Sequence, residues 1–401
     1  MKTVALVSLG CAKNVVDLQV AVGNLLKEGY VLSSDPDRAD VAIINTCAFI
    51  ASAREESEYE IARALALKRR GNFSKVVVTG CYPERYPKAA AKFPGVDSWK
   101  GVPRGWTESK TPAFRLSGKA FAYLKIAEGC VHRCSYCAIP LIRGAYRSRP
   151  EKDVLAEAKA LLATGCRELD IVAQDPMLYK PSLAGLLWKL DDLEGDFWVR
   201  VLYSYPSEID DGFVDWLKNS KHAAKYVDVP LQHTDPAVLK RMNRAGAIEA
   251  SLSVARRLRR EVPGITLRTT IMTGFPGETP ARFERMLETL AQMEFDHLGA
   301  FAFSPERGTP AAKMSGRPSR KTAEERERKV MELAAAIWRK KARAAVGSVR
   351  RALVVAPGTA RLESQAPDVD GVVFVDAGTV GEFIDVRLAK AEGFDFFGEP
   401  A

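Results

Sequence analysis

The chain has 401 residues, 47% of them hydrophobic and 27% charged, and a formal net charge of +9. This length and balance predict an ordinary soluble globular protein with two or three domains. No window contains the roughly 18 uninterrupted apolar residues of a membrane-spanning helix, and no secretory pattern follows Met1. We therefore expect a cytoplasmic protein without a membrane partner, whose seven cysteines are more readily explained by metal binding than by disulfides.

The N-terminal domain, expected over residues 1–101, repeats one unit three times: an apolar run, a turn, a cysteine and a helical pattern. Such units predict a parallel sheet with helices on both faces. Cys11, Cys47 and Cys81 then meet at the carboxyl edge of the sheet, where three thiolates would hold an iron–sulfur cluster with one open iron. The alternative is that each cysteine is a small packed residue. Asn14 and Asp17 are interpreted as helix-capping and dipole-compensating residues.

A second set of cysteines lies in one short run, Cys130, Cys134 and Cys137, after a stretch rich in Gly, Pro, Ser and Thr that predicts a linker at 102–119. The C-x3-C-x2-C spacing predicts an iron–sulfur cluster with an open iron at which a substrate would bind. The alternative is a zinc site completed by His132.

Residues 120–317 alternate strand and helix patterns six times, which predicts an open (β/α)6 barrel, since a full eight-unit barrel needs about 250 residues. Its site is expected at the carboxyl ends of the strands, where several polar residues follow the predicted strands. These residues are Gln174, Asp175, Tyr203, Tyr205, Gln232, His233, Thr273, Gly274 and Gly277. His233 is kept as a residue facing the substrate, Thr279 as a helix cap and Cys166 as a packed residue.

Arg143, Arg147 and Arg149 follow the second cysteine set. They are equally well explained as donors to a ligand carboxylate or as a solvated face.

The C-terminal part predicts a long solvated connecting helix at 318–345 and a small OB-like β-barrel at 346–401. From Glu363 onward, acidic residues far outnumber Arg387 and Lys390. Phosphate binding needs the opposite charge, so this acidic barrel is expected to attract a basic protein rather than RNA.

Two features carry a resemblance to a known family. The cysteine run with Tyr136 before its last cysteine resembles the signature of the radical S-adenosylmethionine (SAM) superfamily. Residues 8–14, 45–50 and 80–81 resemble the methylthiotransferases of that superfamily, whose last domain is a TRAM barrel. The resemblance covers essentially the whole chain.

The resemblance implies two 4Fe-4S clusters, one on each cysteine set, and SAM as cofactors. It implies that SAM binds at the open iron of the second set and yields a 5′-deoxyadenosyl radical, while the first set carries the sulfur. Gln174 and Asp175 are then expected to make polar contacts with SAM, Gln232 to contact its ribose, and Thr273, Gly274 and Gly277 to lie by its adenine. No residue is expected to act as a conventional acid or base.

Residues 228–233 and 365–371 resemble the ribosomal-protein branch of the family. This implies methylthiolation at the β-carbon of an aspartate in ribosomal protein S-twelve of the small subunit, a flavodoxin-like or ferredoxin-like electron donor and a monomeric enzyme. Pro176, Met177 and Lys180 depart from the pattern of the branch, which leaves the pocket wall open. The alternatives are a methylthiotransferase acting on C2 of a tRNA adenosine and a non-enzymatic metal-cluster scaffold that binds RNA.

Overall fold

The computed structural model describes residues 1–102, 115–244 and 247–401. Its described part contains two open parallel sheets, one closed barrel and a short two-stranded sheet. Most of the predicted linker, residues 103–114, lies outside the described residues. The helices among the described residues include none that is long and apolar enough to cross a membrane.

The N-terminal sheet has the strand order β2-β1-β3-β4-β5, and its paired strands are parallel. Its elements are β1 Thr3–Ser8, α1 Ala12–Lys27, β2 Val31–Leu32, β3 Ala39–Thr46, α2 Ala51–Arg69, β4 Phe73–Gly80, α3 Cys81–Arg85 and β5 Ser98–Trp99. The β-branched runs form the buried strands β3 and β4, as expected for a sheet that is covered on both faces. Cys11, Cys47 and Cys81 follow the carboxyl ends of β1, β3 and β4, as the repeated units predict.

Glycine is needed before two of these cysteines. Gly10 and Gly80 have φ values of +99° and +97°, which an L side chain rarely adopts. A Cβ on Gly80 would lie 2.7 Å from the carbonyl oxygen of Thr46, and one on Gly10 would lie 3.1 Å from the Cβ of Cys47. The glycines therefore let the strand ends, and with them the cysteines, approach closely.

The central sheet has the order β13-β12-β11-β10-β9-β6, with parallel pairs throughout. Its elements, with the small strands and helices between them, are β6 Phe121–Lys125, β7 Ala127–Glu128, α4 Ile139–Arg143, β8 Arg147–Ser148, α5 Glu151–Ala163, β9 Glu168–Val172, α6 Leu183–Asp191, β10 Trp198–Val201, α7 Asp211–Asn219, β11 Ala223–Asp228, α8 Pro236–Arg241, α9 Ala247–Glu261, β12 Thr266–Thr273, α10 Pro280–Met293 and β13 His297–Ala302. Apolar residues such as Leu169, Val199 and Val227 pack in the large core with the helices. The sheet is therefore the open six-unit barrel that the sequence predicts.

Helix α11, Arg320–Ala345, is not solvated all round as expected. Val330 and Ala334 are buried in the core of the central sheet, and Trp338 and Ala342 are buried in the core of the C-terminal barrel. The dense charge lies on the remaining face, because a helix exposes only one side when it packs against a sheet. The helix is therefore shared between two cores.

The C-terminal barrel is closed in the order β14-β15-β16-β18-β17. Its strands are β14 Val349–Ala356, β15 Thr359–Leu362, β16 Val373–Phe374, β17 Phe383–Glu392 and β18 Asp395–Pro400. The sequence patterns did not predict β18. This strand closes the barrel by pairing with β17 on one side and β16 on the other.

The loop between β15 and β16 packs against the amino-terminal half of the central barrel, which we call the base. The side chain of Asp370 is 1% exposed, accepts a hydrogen bond from Tyr226 at 2.8 Å and pairs with Arg268 at 2.5 Å. Asp368 accepts a hydrogen bond from Tyr123 at 2.5 Å. The expectation that these acidic residues attract a basic protein is therefore wrong for Asp370, because its charge is used inside the molecule.

Candidate active site

The opposite end of the central barrel, at the carboxyl ends of its strands, is called the mouth. The loop that carries Cys130, Cys134 and Cys137 emerges there from β7. His132 in this loop stacks on Tyr205, with 3.7 Å between ring centroids, and its Nε2 lies 2.6 Å from Asp175 Oδ2. Arg244 covers Tyr205 at 4.4 Å and lies beside Cys134. These contacts fix the loop against the end of β10.

The thiols of this loop are only partly exposed. Burial raises the pKa of Cys130 to about 11 and that of Cys137 to about 12. Thiolates are the form that binds iron, so metal binding here must displace protons and supply the charge that burial disfavours.

The N-terminal set lies beside two positive charges. Although burial works to raise it, the pKa of Cys11 is lowered by Lys13, the amide of Asn14 and Arg143. Burial raises the pKa of Cys47, and it raises that of Cys81 to about 11. Cys11 is therefore the thiol of this set that ionises most readily.

Asn14 and Asp17 do not cap α1, contrary to expectation. The amide of Asn14 donates to the carbonyls of Leu9 and Thr46, each at 3.0 Å, and its oxygen accepts a hydrogen bond from Cys81 at 3.3 Å. Asn14 therefore ties the strand ends together beside the cysteines.

Asp17 belongs to a buried ion network between the N-terminal and central sheets. Its carboxylate accepts hydrogen bonds from Lys125 and Arg143, each at 2.5 Å. Lys125 also donates to Glu128 at 2.7 Å, and Glu128 accepts from Gln174 at 2.7 Å. Burial opposes ionisation of Asp17, but Lys125 and Arg143 outweigh it and lower the pKa. The sequence contains one signal of this network that was missed: Lys125 is a charged residue at the end of an otherwise apolar strand.

Arg143 was interpreted from the sequence as a donor to a ligand carboxylate or as part of a solvated face. It fits neither interpretation, because it is buried and contacts Asn14 and Asp17. Arg149 is likewise buried against Glu157, and only Arg147 of the three is exposed.

Helix α4 joins the two cysteine sets. At its start, the amide of Ile139 donates to Cys137 Sγ at 3.4 Å, and at its end Arg143 donates to Cys81 Sγ at 3.4 Å. A helix of five residues rises only about 7 Å. The two sets are therefore separated by one short helix and an arginine side chain.

The loop after β10 lies between the same two sets. Tyr203 adopts a left-handed conformation with φ of +70°, a strained state for a tyrosine. Lys13 works to lower the pKa of Tyr203, but burial and Cys11 raise it. Burial raises the pKa of Tyr205, with Arg244 opposing and Cys134 adding to the rise. Tyr203 is thus near enough to Cys11, and Tyr205 to Cys134, for their charges to interact.

Several polar atoms at the mouth have no partner. Gln174 Oε1, Ser204 Oγ and Gln232 Oε1 are buried and make no hydrogen bond to the part of the chain that the structure describes. Buried polar atoms are normally hydrogen-bonded, because leaving one unpaired costs about 1–3 kcal/mol. These atoms fit a polar ligand such as SAM.

The other predicted SAM contacts are bound within the fold. Asp175 accepts from the amide of Met177 as well as contacting His132. Thr273 donates to the carbonyl of Ala323 at 2.9 Å, and the amides of Gly274 and Gly277 donate to Glu278 and to the carbonyl of Gly316. Their role toward SAM stays a prediction.

His233 is fully buried, with Nδ1 accepting from the amide of Asp235 and Nε2 lying 3.1 Å from Glu278. The expectation that it faces the substrate is wrong. Thr279 caps α10 through the amide of Arg282, and Cys166 is packed beside Ala120 and Glu168, both as predicted.

No group of three or more His, Cys, Asp or Glu side chains among residues 1–102, 115–244 and 247–401 is arranged to hold a single metal ion. The assignment of the six cysteines as cluster ligands therefore stays a prediction.

Comparison with known proteins agrees with this organisation. Residues 3–101 match the model of the uncharacterized protein family UPF0004, residues 124–290 that of the radical SAM superfamily and residues 351–400 that of a TRAM domain. The chain is 38% identical to the ribosomal protein uS12 methylthiotransferase RimO of Geobacter sulfurreducens, over 99% of this chain and 98% of that protein. It belongs to the RimO family. The RimO proteins of Syntrophus aciditrophicus and Carboxydothermus hydrogenoformans are also 38% identical to it over nearly their full lengths.

Solved structures show the same fold. The radical SAM methyltransferase TsrM from Kitasatospora setae, with cobalamin and a [4Fe-4S] cluster bound, matches 77% of this chain and 77% of its own, with a TM-score of 0.58 and 18% identity. Membership of the radical SAM superfamily supports an iron–sulfur cluster and SAM as cofactors of this RimO family member.

Proposed function

We propose that this chain is a radical SAM methylthiotransferase that adds a methylthio group to the β-carbon of an aspartate in ribosomal protein uS12. The names of its full-length relatives support the reaction and the substrate. They favour the ribosomal protein over a tRNA adenosine and over a non-enzymatic RNA-binding scaffold.

The observation that carries the proposal is the position of the Tyr203–Tyr205 segment between the two cysteine sets. Tyr203 contacts Lys13, two residues after Cys11, while Tyr205 stacks on His132, which lies between Cys130 and Cys134. A reaction that needs hydrogen removal and sulfur delivery at one carbon requires these two functions side by side.

The residues at the mouth fit the cofactors that the family uses. Three cysteines in one loop leave an iron of a four-iron cluster open, and the unpaired atoms of Gln174, Ser204 and Gln232 lie at the strand ends beside that loop. When bound, the cluster and SAM together supply a carbon-centred radical able to remove hydrogen from an unactivated C–H bond. His132, Asp175 and Tyr205 hold the loop that positions this cofactor pair.

A second four-iron cluster is proposed on Cys11, Cys47 and Cys81. Arg143 and Lys13 place positive charge beside these thiols, which favours the thiolate form that binds iron. Analysis of the reconstituted protein should find about eight irons and a similar amount of sulfide per chain. An iron content of about four per chain would refute the second cluster and would leave the proposal of the first cluster intact.

The deciding experiment incubates reconstituted enzyme, SAM and a reductant with small ribosomal subunits, or with tRNA that lacks methylthio groups. We expect a methylthio mass increase on an aspartate of uS12, located by tandem mass spectrometry, and none on tRNA. A mass increase on tRNA alone would contradict the proposed substrate. A protein that contains zinc in place of iron and does not cleave SAM would favour the alternative of a non-enzymatic RNA-binding scaffold.

A flavodoxin-like or ferredoxin-like donor is proposed to supply the electrons, and the enzyme is proposed to act as a monomer in the cytoplasm. Light scattering of the purified protein and reduction with each donor test these two points.

A further inference from the structure

Lys13 is a buried lysine that forms no close ion pair with any of the described residues. It is the second residue of α1, only 8% exposed, and its Nζ lies 3.6 Å from the centroid of the Tyr203 ring. No carboxylate of the described residues lies within 4.0 Å of this Nζ, and no described residue hydrogen-bonds to it. Charged groups are rarely buried unless they are paired, and a ring face replaces only part of the lost hydration. This ammonium group is therefore suited to an anion from outside the chain.

The other buried lysine of this region shows the contrast. Lys125 is also 8% exposed, yet it is paired with both Asp17 and Glu128. Asp17 is one helical turn after Lys13, where the two side chains are able to pair. Its carboxylate turns instead to Lys125 and Arg143. Within the described part of the chain, Lys125 is thus paired with two carboxylates, whereas Lys13 contacts an aromatic ring and no carboxylate.

The position of Lys13 relates it to both cysteine sets. Lys13 follows Cys11 of the first set by two residues and lowers the pKa of that thiol. On its other side Lys13 contacts Tyr203. Two residues further along, Tyr205 stacks on His132 of the second set. An anion bound to Lys13 would therefore lie beside the segment that separates the two sets.

We propose that Lys13 binds the side-chain carboxylate of the acceptor aspartate and thereby selects aspartate as the substrate; this rests on the function proposed above. In aspartate the β-carbon is bonded directly to the carboxylate carbon. Holding the carboxylate therefore fixes the carbon that must lose hydrogen and gain sulfur. A charge-assisted hydrogen bond in a buried site distinguishes a carboxylate from the isosteric amide of asparagine.

The test is a cycle of two substitutions, one on each side of the contact. Fluorescently labelled uS12, unaltered or with its acceptor aspartate replaced by asparagine, is titrated with reconstituted enzyme and SAM without reductant, so that no turnover occurs. The unaltered enzyme should bind the aspartate form roughly 30-fold or more tightly than the asparagine form. Lys13→Met should bind both forms equally, and Lys13→Arg should restore much of the preference.

Lys2→Met is the matched control, because Lys2 also lies over a tyrosine ring, that of Tyr30 at 5.9 Å. It should keep the full preference for aspartate. A Lys13→Met enzyme that still prefers the aspartate form would overturn the role of Lys13. An unaltered enzyme that neither binds nor modifies uS12 would overturn the proposed function as well.

A second measurement uses the unaltered enzyme and so does not depend on the folding of a variant. A water-soluble carbodiimide activates the acceptor carboxylate, and attack by the Lys13 amine forms an amide bond with release of a urea. Mass spectrometry should find the acceptor aspartate joined to Lys13. If uS12 is bound and modified but is joined only to other lysines, the contact between Lys13 and the acceptor aspartate is refuted. The proposed function would remain intact.

Discussion

The two ends of the central barrel differ in how they satisfy buried polar groups. At the base, Glu168 lies between Arg200 and Arg361, and Asp370 pairs with Arg268. At the mouth, Gln174, Ser204 and Gln232 each keep a buried atom that has no hydrogen-bond partner in residues 1–102, 115–244 and 247–401. The base therefore joins the central and C-terminal barrels through buried ion pairs, whereas the mouth presents uncharged polar atoms to which a polar ligand could bind.

Asp170, Arg200 and Arg361 also keep buried atoms at the base without a hydrogen-bond partner among the described residues. For Asp170 this holds for both oxygens, although Oδ1 lies 3.5 Å from Arg200 Nε. Burial and then Glu168 raise its pKa well above the usual value. The neutral form of this carboxyl group is therefore favoured more than in an exposed aspartate, which reduces the cost of burying it without a full set of partners.

The largest expected effects are at the two cysteine sets, of which the second lies at the mouth. Cys134→Ala and Cys47→Ala should each abolish methylthio transfer to uS12 and lower the iron content from about eight to about four per chain, because each removes a ligand of one cluster. Iron analysis and the mass-spectrometric assay measure both effects. Cys166→Ala is the control, since Cys166 is packed away from both sets, and it should keep full iron. A Cys134→Ala protein with full iron and activity would show that the cluster assignment is wrong.

At the base, Asp370→Ala should lower the free energy of unfolding by about 3–5 kcal/mol, because it removes the buried partner of the largely buried Arg268. Denaturant unfolding measures the loss, and the protein that remains folded should cleave SAM at the normal rate. Asp376→Ala removes an exposed acid of the same barrel and should change stability by less than about 0.5 kcal/mol. If the two variants lost equal unfolding free energy, the ion pair at the base would contribute no more to stability than an exposed acidic residue.

Asp228 lies between the two ends, in reach of Arg268, Asp370 and Lys13. Burial raises its pKa to about 6, so the folded protein binds its proton more tightly than the unfolded chain does. The stability that this provides is present below about pH 4 and is lost as the pH rises through about 6.

Asp228→Asn should therefore match the unaltered protein in stability at pH 4 and exceed it by about 2 kcal/mol at pH 7.5. Parallel denaturant unfolding at the two pH values checks this. A difference that does not change with pH would mean that folding leaves the pKa of Asp228 unchanged.

The smallest effect is expected at Ser204. Ser204→Ala removes a buried hydroxyl that has no described partner, so the ligand-free protein should gain up to about 1 kcal/mol of stability. The rise in melting temperature on adding SAM should become smaller. Ser207→Ala, at an exposed position of the same loop, should change neither quantity. A large loss of stability in Ser204→Ala would place that hydroxyl in the structural part of the barrel.

The sequence by itself determined the parts that are local. The C-x3-C-x2-C run, the three strand-and-cysteine units and the alternation of six strands with helices identify two cysteine sets on two parallel sheets, because spacing and hydrophobic period are properties of neighbouring residues. The closed C-terminal barrel was also predictable, although β18 was missed.

The tertiary structure alone decided which charges meet. Asn14 and Asp17 follow the pattern of a helix cap, yet they bind Cys81, Arg143 and Lys125. His233 looked available and is buried, whereas Lys13 carried no signal and lies over Tyr203 without an ion pair to the described residues. The partner of a charged side chain is set by the packing of segments far apart in the chain, and no local pattern records which carboxylate a buried lysine reaches and which it does not.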